Sequence, residues 1–191
     1  MPAEPFGVGE GDLSMMTIPK AGFHRKHHRL PAYEYIGKKC FFITMCCHKR
    51  APLFTDKSWG WLLEVLRTES TLFGFVIDAY CAMPDHLHFL ALGITPTSNL
   101  LKFVQSFKQK TTYRHSRMAG AILWQNNFYD HILRSNEEPE RVAAYIWLNP
   151  VRKGFCKEFQ EYPFSGSFSR PWDAPISTSW IPPWKRARMP A

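Results

Sequence analysis

The 191-residue sequence lacks several features that would assign it to a simple class of protein. It has no run of about 18 uninterrupted apolar residues, so we expect no membrane-spanning helix. The N-terminus lacks a basic segment followed by an apolar one, which argues against a secretory signal. The five cysteines lack the spacing of a zinc site or a disulfide framework. These absences favour a reduced, cytoplasmic setting.

Charge is the first positive signal in the composition. The chain has 24 Lys and Arg residues against 16 Asp and Glu, a formal net charge of +8. The excess is uneven, because residues 21–50 contain seven Lys or Arg residues and one acidic residue. A polyanionic partner such as a nucleic acid would fit this charge, whereas the alternative is a basic surface without such a partner.

The composition changes at both ends of the chain. Residues 1–20 have no clear periodicity, and we interpret them as a flexible leader. Residues 171–191 contain five prolines, which break regular structure, and form a basic Pro- and Trp-rich tail. Trp172, Trp180 and Trp184 could anchor this tail on the domain or on bases. We expect a single domain over residues 21–170, since 45% hydrophobic residues suffice for a core.

The pattern of apolar residues predicts alternating strands and helices. Strands are expected over residues 39–47, 75–81, 86–92 and 128–133, and helices over 56–72, 100–118 and from about 137. The order β-α-β-β-α-β-α indicates an α+β sandwich, with one antiparallel sheet covered by helices on one face. The first six elements match the ferredoxin-like (RRM-like) fold.

His86 and His88 are the sharpest chemical feature of the sequence. Side chains at i and i+2 of a strand project from the same face, so both imidazoles can converge on one divalent cation. Two histidines need a further ligand from elsewhere in the chain. The alternative is a pair of ordinary half-buried histidines.

A third helix offers a second group of polar side chains. It begins either at a Ser-x-x-Glu capping box over residues 135–138 or with Pro139 as its first residue. Tyr145 and Asn149 are four residues apart and share a face, with Asn149 at or near the helix end because Pro150 follows it. They could supply a nucleophile and a third metal ligand, or Tyr145 could simply pack in the core.

These segments together resemble a known family. Residues 83–88 (MPDHLH) resemble the "MPNHVH"-type stretch of single-tyrosine HUH transposases, in which U is a hydrophobic residue. Residues 124–131 and 145–154 resemble the closing half of the same domain. In particular, the chain looks like the REP-associated tyrosine transposases of bacteria. The resemblance covers residues 25–168 and implies the ferredoxin-like fold of HUH endonucleases.

The resemblance also implies roles for individual residues. Tyr145 matches the nucleophile, His86 and His88 match paired metal ligands, and Asn149 matches a third ligand one turn later. The implied activity is transposition by a metal-dependent endonuclease and strand transferase, which cuts single-stranded DNA at or near hairpins of repetitive palindromes. It proceeds through a 5′-phosphotyrosyl intermediate with Mg²⁺ or Mn²⁺. No nucleotide cofactor is expected, since no Gly-x-x-x-x-Gly-Lys loop is present.

Binding of single-stranded or hairpin DNA needs cations to neutralise phosphates. An N-terminal arm and the second helix supply the candidates, which are Arg25, Lys26, Arg29, Lys102, Lys108, Lys110 and Arg114. The alternative for the helix is a solvated face. The REP-associated group favours a monomer over a dimer, with no membrane partner and with the bacterial nucleoid as the place of action.

Two other functions fit parts of the same pattern. A domesticated, catalytically inactive protein would bind hairpin DNA without cutting it and would tolerate loss of the Tyr145 hydroxyl. A replication-initiator or relaxase nuclease of the wider HUH group ranks last, because such nucleases commonly belong to larger proteins.

Overall fold

The computed structural model describes residues 30–171 and 180–182. Five strands and four helices follow one another within this part of the chain, with short 3-10 turns between some of them. In chain order they are β1 (Cys40–Cys46), α1 (Asp56–Leu72), β2 (Phe75–Met83), β3 (His86–Gly93), α2 (Leu100–Ala119), β4 (Tyr129–Ile132), α3 (Pro139–Trp147), α4 (Asn149–Arg152) and β5 (Ser165–Gly166).

All five strands belong to one antiparallel sheet. The strand order is β4-β1-β3-β2-β5, and its first four members follow the ferredoxin-like order that the sequence predicts. The predicted α+β fold class is therefore confirmed. The two-residue strand β5 extends the sheet at the β2 edge. The sequence does not predict it, because Ser165 and Gly166 are too few and too polar to form a strand pattern.

Local sequence signals account for where the helices begin and end. The side chain of Asn99 accepts a hydrogen bond from the Lys102 amide and caps α2, which ends at Gly120 in the left-handed conformation that glycine adopts freely. Helix α3 has Glu138 as its N-cap and Pro139 as its first residue. Of the two starts that the sequence allows, the proline start is therefore the one observed.

The sheet divides the core into two layers. On one face, Phe41, Ile43 and Phe89 pack against the long helices α1 and α2. On the opposite face, which we call the α3 face, Phe42 and Leu90 pack against α3. Strand alternation explains the division, because neighbouring residues such as Phe41 and Phe42 point to opposite sides. Helices α1 and α2 thus cover one face as predicted, and α3 adds a layer to the other.

Among the described helices, none is long and apolar enough to cross a membrane. The five cysteines are all free thiols, and two of them, Cys47 and Cys81, are buried.

The buried thiols predict an alkaline loss of stability. Burial raises the pKa of the Cys47 and Cys81 thiols to about 12. In the unfolded chain these thiols ionise near pH ~8.5, so their contribution to the free energy of unfolding is complete below that pH and is lost as pH rises toward 12. As the pH rises above ~8.5, we expect the free energy of unfolding of a Cys81→Ala variant to fall less steeply than that of wild type, by on the order of 1 kcal/mol per pH unit. Urea denaturation at several pH values measures this.

Cys156, which is less buried than Cys81, supplies the matched control. A Cys156→Ala variant should follow the wild-type dependence more closely than Cys81→Ala does. Equal alkaline slopes for wild type and Cys81→Ala would contradict the expectation.

Candidate functional site

The two histidines of β3 converge on the α3 face. Leu87, which lies between them, points into the opposite layer and is fully buried there. The Nε2 atoms of His86 and His88 are 3.0 Å apart. The convergence that strand alternation predicts is therefore observed.

The other ring nitrogen of each histidine is already engaged. His88 Nδ1 shares a hydrogen bond of 2.8 Å with Thr44 Oγ1, and His86 Nδ1 lies 2.5 Å from Asp85 Oδ1. The second carboxylate oxygen of Asp85 is 3.3 Å from the Arg50 guanidinium. Partners at both Nδ1 atoms fix the ring orientations and leave the Nε2 atoms as the pair that can bind a metal.

The donor geometry fits a divalent cation. Two nitrogens bound at about 2.1 Å in adjacent octahedral positions are roughly 3.0 Å apart, which matches the Nε2–Nε2 distance. Burial lowers the pKa of His86, although the Asp85 carboxylate opposes this shift, and the neutral imidazole is the form that binds metal. Within residues 30–171 and 180–182, no cluster of three His, Cys, Asp or Glu side chains suited to a metal occurs.

Tyr145 lies on the buried side of α3, above the same face of the sheet. Its ring centroid is 6.2 Å from that of Phe42, and the Phe42 ring is 5.5 Å from His88. The Phe42 ring thus contacts both Tyr145 and His88. Burial raises the pKa of Tyr145, and the Arg152 guanidinium, 4.3 Å from the ring centroid, partly opposes the rise by favouring the phenolate.

Asn149 lies just past the end of α3. Helix α3 ends at Trp147, as the prediction of Asn149 at or near a helix end requires, and Asn149 begins the single turn α4. Its Nδ2 donates hydrogen bonds to the carbonyls of Tyr145 (3.2 Å) and Ile146 (3.3 Å). These bonds fix the amide beside the Tyr145 backbone. They leave the amide oxygen as the atom that could bind a metal.

Trp180, from the C-terminal tail, covers the tyrosine. Its ring centroid is 4.9 Å from Tyr145 and 5.5 Å from Phe42. Its Nε1 donates to Glu137, whose other carboxylate oxygen is 2.6 Å from His131 Nε2. Of the three tail tryptophans considered as anchors, Trp180 packs on the domain, whereas Trp172 and Trp184 lie outside the described residues. Through this contact Glu137 links His131 to Trp180.

The predicted basic residues of α2 lie in the layer opposite the histidines. Lys110 is paired with Glu69, and the Lys108 ammonium donates to the carbonyls of Gln125 and Asn126. The Arg114 guanidinium lies 5.0 Å from the centre of the Trp61 ring. Lys102 is exposed. The predicted arm residues Arg25, Lys26 and Arg29 lie outside the described residues.

Cations that the sequence analysis did not single out lie closer to the histidines. Lys49 and Arg50 both have positive φ angles, 53° and 57°, in the turn that follows β1. Cys46, the last residue of β1, faces His86 across the sheet, so this turn lies at the histidine end. The signal available in the sequence was the His-Lys-Arg run directly after a buried strand.

Comparisons with known proteins match most of this region. The sequence model of the family described as "Transposase IS200 like" matches residues 39–148, which include both histidines and Tyr145. A REP-associated tyrosine transposase of Escherichia coli (strain K12) is 25% identical over 133 residues, covering 70% of this chain and 78% of that protein. An uncharacterized protein of Haemophilus influenzae (strain ATCC 51907 / DSM 11121 / KW20 / Rd) is 26% identical over 175 residues, covering 72% and 94%.

The fold also matches a solved structure. A REP-associated tyrosine transposase bound to a REP hairpin superposes with a TM-score of 0.61 at 23% identity, covering 72% of this chain and 80% of that one. At that identity the likeness concerns the fold. It agrees with the strand order and layers described above.

Proposed function

The chain belongs to the family of IS200-like transposases, enzymes that nick and rejoin DNA, and on that premise we propose that it cuts single-stranded DNA at or near hairpins of repetitive palindromes through Tyr145. One observation carries the proposal. A buried tyrosine and a converging histidine pair lie on the same face of the sheet, where the Phe42 ring contacts both Tyr145 and His88. The hairpin substrate is supported by the REP hairpin bound to the structurally similar transposase.

In the proposed reaction, Tyr145 supplies the nucleophile. Its phenol oxygen attacks the phosphorus of a phosphodiester and loses its proton. The phosphorus–O3′ bond breaks and O3′ takes up, through solvent, the proton that the phenol lost, which leaves a 5′-phosphotyrosyl enzyme and a strand that ends in a 3′-hydroxyl. A 3′-hydroxyl that later attacks the same phosphorus restores the phosphodiester and releases Tyr145. The Arg152 guanidinium next to the ring favours the phenolate at the moment of attack.

His86, His88 and Asn149 are the residues that would hold a divalent cation, Mg²⁺ or Mn²⁺. Such an ion would polarise the phosphate oxygens and neutralise charge that develops on them. Nitrogen and amide donors leave an open site of the kind that accepts a substrate oxygen. Thr44 and Asp85 orient the two imidazoles through their Nδ1 atoms.

We further propose that the enzyme works as a monomer. Helix α3 packs on the sheet of its own chain, where Tyr145 and His88 both contact Phe42. This packing supports a monomer in which Tyr145 acts together with the metal ligands of its own chain.

Thr44 allows a test of how the histidines are oriented. A Thr44→Val variant keeps the shape of the side chain but removes the hydroxyl that holds His88 Nδ1. We expect the Mn²⁺ concentration that half-saturates cleavage to rise about 10-fold or more, with little change in DNA affinity. The matched control is Thr68→Val, on the exposed side of α1, whose hydroxyl bonds only to its own helix at Glu64. An unchanged Mn²⁺ dependence in Thr44→Val would contradict the orienting role.

One observation favours a second candidate function, a hairpin-binding protein that does not cut. Tyr145 is only 5% exposed, and Trp180 packs on its ring. In this arrangement Trp180 covers the Tyr145 ring and limits access of a DNA strand to it. Formation of a covalent adduct separates the two functions.

The experiment uses the full chain and labelled single strands that contain palindromes from either side of its gene. Reactions with Mn²⁺ or with chelator are resolved on denaturing protein gels. We expect label to migrate with the protein only when Mn²⁺ is present. Tight binding without any adduct would overturn the cutting activity and favour the hairpin-binding protein.

A further inference from the structure

Asp85 connects the histidine pair with a cationic turn. One of its carboxylate oxygens lies 2.5 Å from His86 Nδ1, and the other lies 3.3 Å from the Arg50 guanidinium. A proposed metal ligand and an arginine therefore share one carboxylate. The orienting role of Asp85 accounts for its contact with His86 but not for its contact with Arg50.

Backbone hydrogen bonds attach both ends of the loop that follows β1 to the turn between β2 and β3. The Cys47 amide donates to the Asp85 carbonyl at 2.8 Å. At the other end of the loop, the Phe54 amide donates to the Pro84 carbonyl at 3.3 Å. Arg50 lies between these two attachments. Its place beside Asp85 therefore follows from the path of the backbone.

The backbone of this loop is strained where its cations lie. Lys49 and Arg50 have φ angles of 53° and 57°, in the left-handed region that residues other than glycine rarely adopt. Such conformations persist only where the surrounding structure stabilises them, and they cluster at functional sites. The strain indicates that the loop serves to place its cations at the histidine end of the sheet.

A DNA phosphate can replace Asp85 as the partner of Arg50. The Arg50 side chain is 55% exposed and that of Asp85 is 32% exposed, and exposed ion pairs contribute little to stability. A phosphate offers the guanidinium two oxygens, as a carboxylate does, so it competes for the same donors. The contact between Asp85 and His86 is shorter and more shielded, because the His86 side chain is only 17% exposed.

Release of Arg50 from Asp85 would strengthen metal binding at His86 for two reasons. A carboxylate bonded to Nδ1–H makes the Nε2 atom of a histidine a better donor, and a guanidinium that shares the carboxylate weakens this effect. A guanidinium held beside the site also repels a divalent cation. Arg50 in contact with Asp85 therefore lowers the metal affinity of the histidine pair.

We infer that Arg50 and Asp85 form a switch that couples DNA binding to metal binding. The inference rests on the proposed function for its metal site and its DNA substrate. In the free protein Asp85 holds Arg50, and metal affinity is low. A phosphate of the bound strand takes Arg50 away, Asp85 then acts on His86 alone, and metal affinity rises. Because coupling between two ligands is reciprocal, Mn²⁺ raises DNA affinity by the same factor.

Isothermal titration of the DNA-free protein with Mn²⁺ tests the sign of this effect. We expect Arg50→Gln to bind Mn²⁺ about threefold more tightly than wild type, because the carboxylate then has His86 as its single partner. A purely structural role for Arg50 predicts weaker binding instead. Weaker or unchanged Mn²⁺ binding in Arg50→Gln, or a wild type that binds no Mn²⁺, would overturn the switch.

Lys49 supplies the matched control. It lies in the same strained turn, is exposed, and forms no ion pair with the part of the chain that the structure describes. Lys49→Gln removes the same charge without affecting Asp85, so Mn²⁺ affinity should stay close to that of wild type. An equal gain in Lys49→Gln and Arg50→Gln would reduce the effect to net charge and overturn the switch.

An Asp85→Asn background shows whether Arg50 acts through the carboxylate. The Asn oxygen can still accept a hydrogen bond from His86 Nδ1, but it has no charge to hold Arg50 beside the site. In this background Arg50→Gln should leave Mn²⁺ affinity unchanged. A gain as large as the one in the Asp85 protein would contradict the coupling through Asp85.

Fluorescence anisotropy measures the coupling with a labelled stem-loop that carries single-stranded flanks from beside the gene. The proteins carry Tyr145→Phe, so that the strand stays intact. We expect saturating Mn²⁺ to raise DNA affinity about tenfold, and about threefold when Arg50→Gln is added, since direct contact between the ion and DNA remains. The same Mn²⁺ effect with and without Arg50 would overturn the switch.

These measurements separate the switch from the proposed cutting activity, because they require no adduct. If Arg50→Gln tightens Mn²⁺ binding and reduces the coupling but wild type forms no adduct, the switch stands and the cutting activity fails. If wild type forms the adduct and Arg50→Gln changes neither quantity, the cutting activity stands and the switch fails.

Discussion

A Tyr145→Phe variant should form no phosphotyrosyl adduct while binding hairpin DNA as tightly as wild type, within about twofold. The substitution removes a single oxygen, and the ring keeps its contacts with Phe42 and Trp180, so the fold should persist. No other group replaces the nucleophile in a covalent mechanism. We therefore expect the rate of adduct formation to fall at least ~1,000-fold. Single-turnover assays on labelled strands measure the rate, and anisotropy measures the affinity.

Tyr129 is the matched control for this variant. It lies on the same face of the sheet as His88, because Tyr129 pairs with Thr44 of β1 and Thr44 in turn pairs with His88 of β3. Burial raises its pKa to about 12. Tyr129→Phe should keep adduct formation near the wild-type rate. Adduct formation by Tyr145→Phe at more than a few per cent of the wild-type rate would remove Tyr145 from the proposed role.

A His88→Asn variant should lose both metal binding and cutting. The Asn side chain is too short to bring a nitrogen to the position of His88 Nε2, so the His86 imidazole is left without its partner at 3.0 Å. We expect Mn²⁺ binding to weaken about 100-fold and adduct formation to fall at least ~1,000-fold. Isothermal titration calorimetry with Mn²⁺ alone measures the first effect.

His115→Asn controls for the cost of replacing a buried histidine. His115 is 8% exposed and lies on α2 in the other layer of the core, and none of the described residues forms a hydrogen bond with its Nε2. Its replacement should leave Mn²⁺ binding and cutting intact. Thermal unfolding checks that both variants fold. Wild-type Mn²⁺ affinity in a folded His88→Asn protein would exclude His88 as a ligand.

Several parts of the site followed from the sequence because they depend on local geometry. The period of a strand brings His86 and His88 to one face, and Pro139 and Pro150 bracket the helix that carries Tyr145. Element order predicts the ferredoxin-like sheet, and the family assignment from three separated motifs is confirmed. Within each motif and each element, the residues that carry the signal are close together in sequence.

Features that depend on contacts between distant residues could not be predicted from the sequence. The packing of Trp180 on Tyr145 joins residues 35 positions apart, with no period that relates them. The pairing of Lys110 with Glu69 likewise joins two helices, so one cation expected to bind DNA from α2 is paired with a buried carboxylate. The fold also brings Gln105 and Gln125, which are 20 positions apart, to the lining of one groove beside α2.

Mass-spectrometric mapping of the covalent adduct tests the central claim most directly. Wild-type protein is incubated with Mn²⁺ and a flanked stem-loop, digested with protease and nuclease, and searched for a peptide that carries a nucleotide. We expect a single modified peptide with the 5′-phosphate attached to the Tyr145 oxygen. A phosphate on Tyr129, Tyr113 or any other side chain would contradict the proposed nucleophile, whatever the effect of substitutions on the rate.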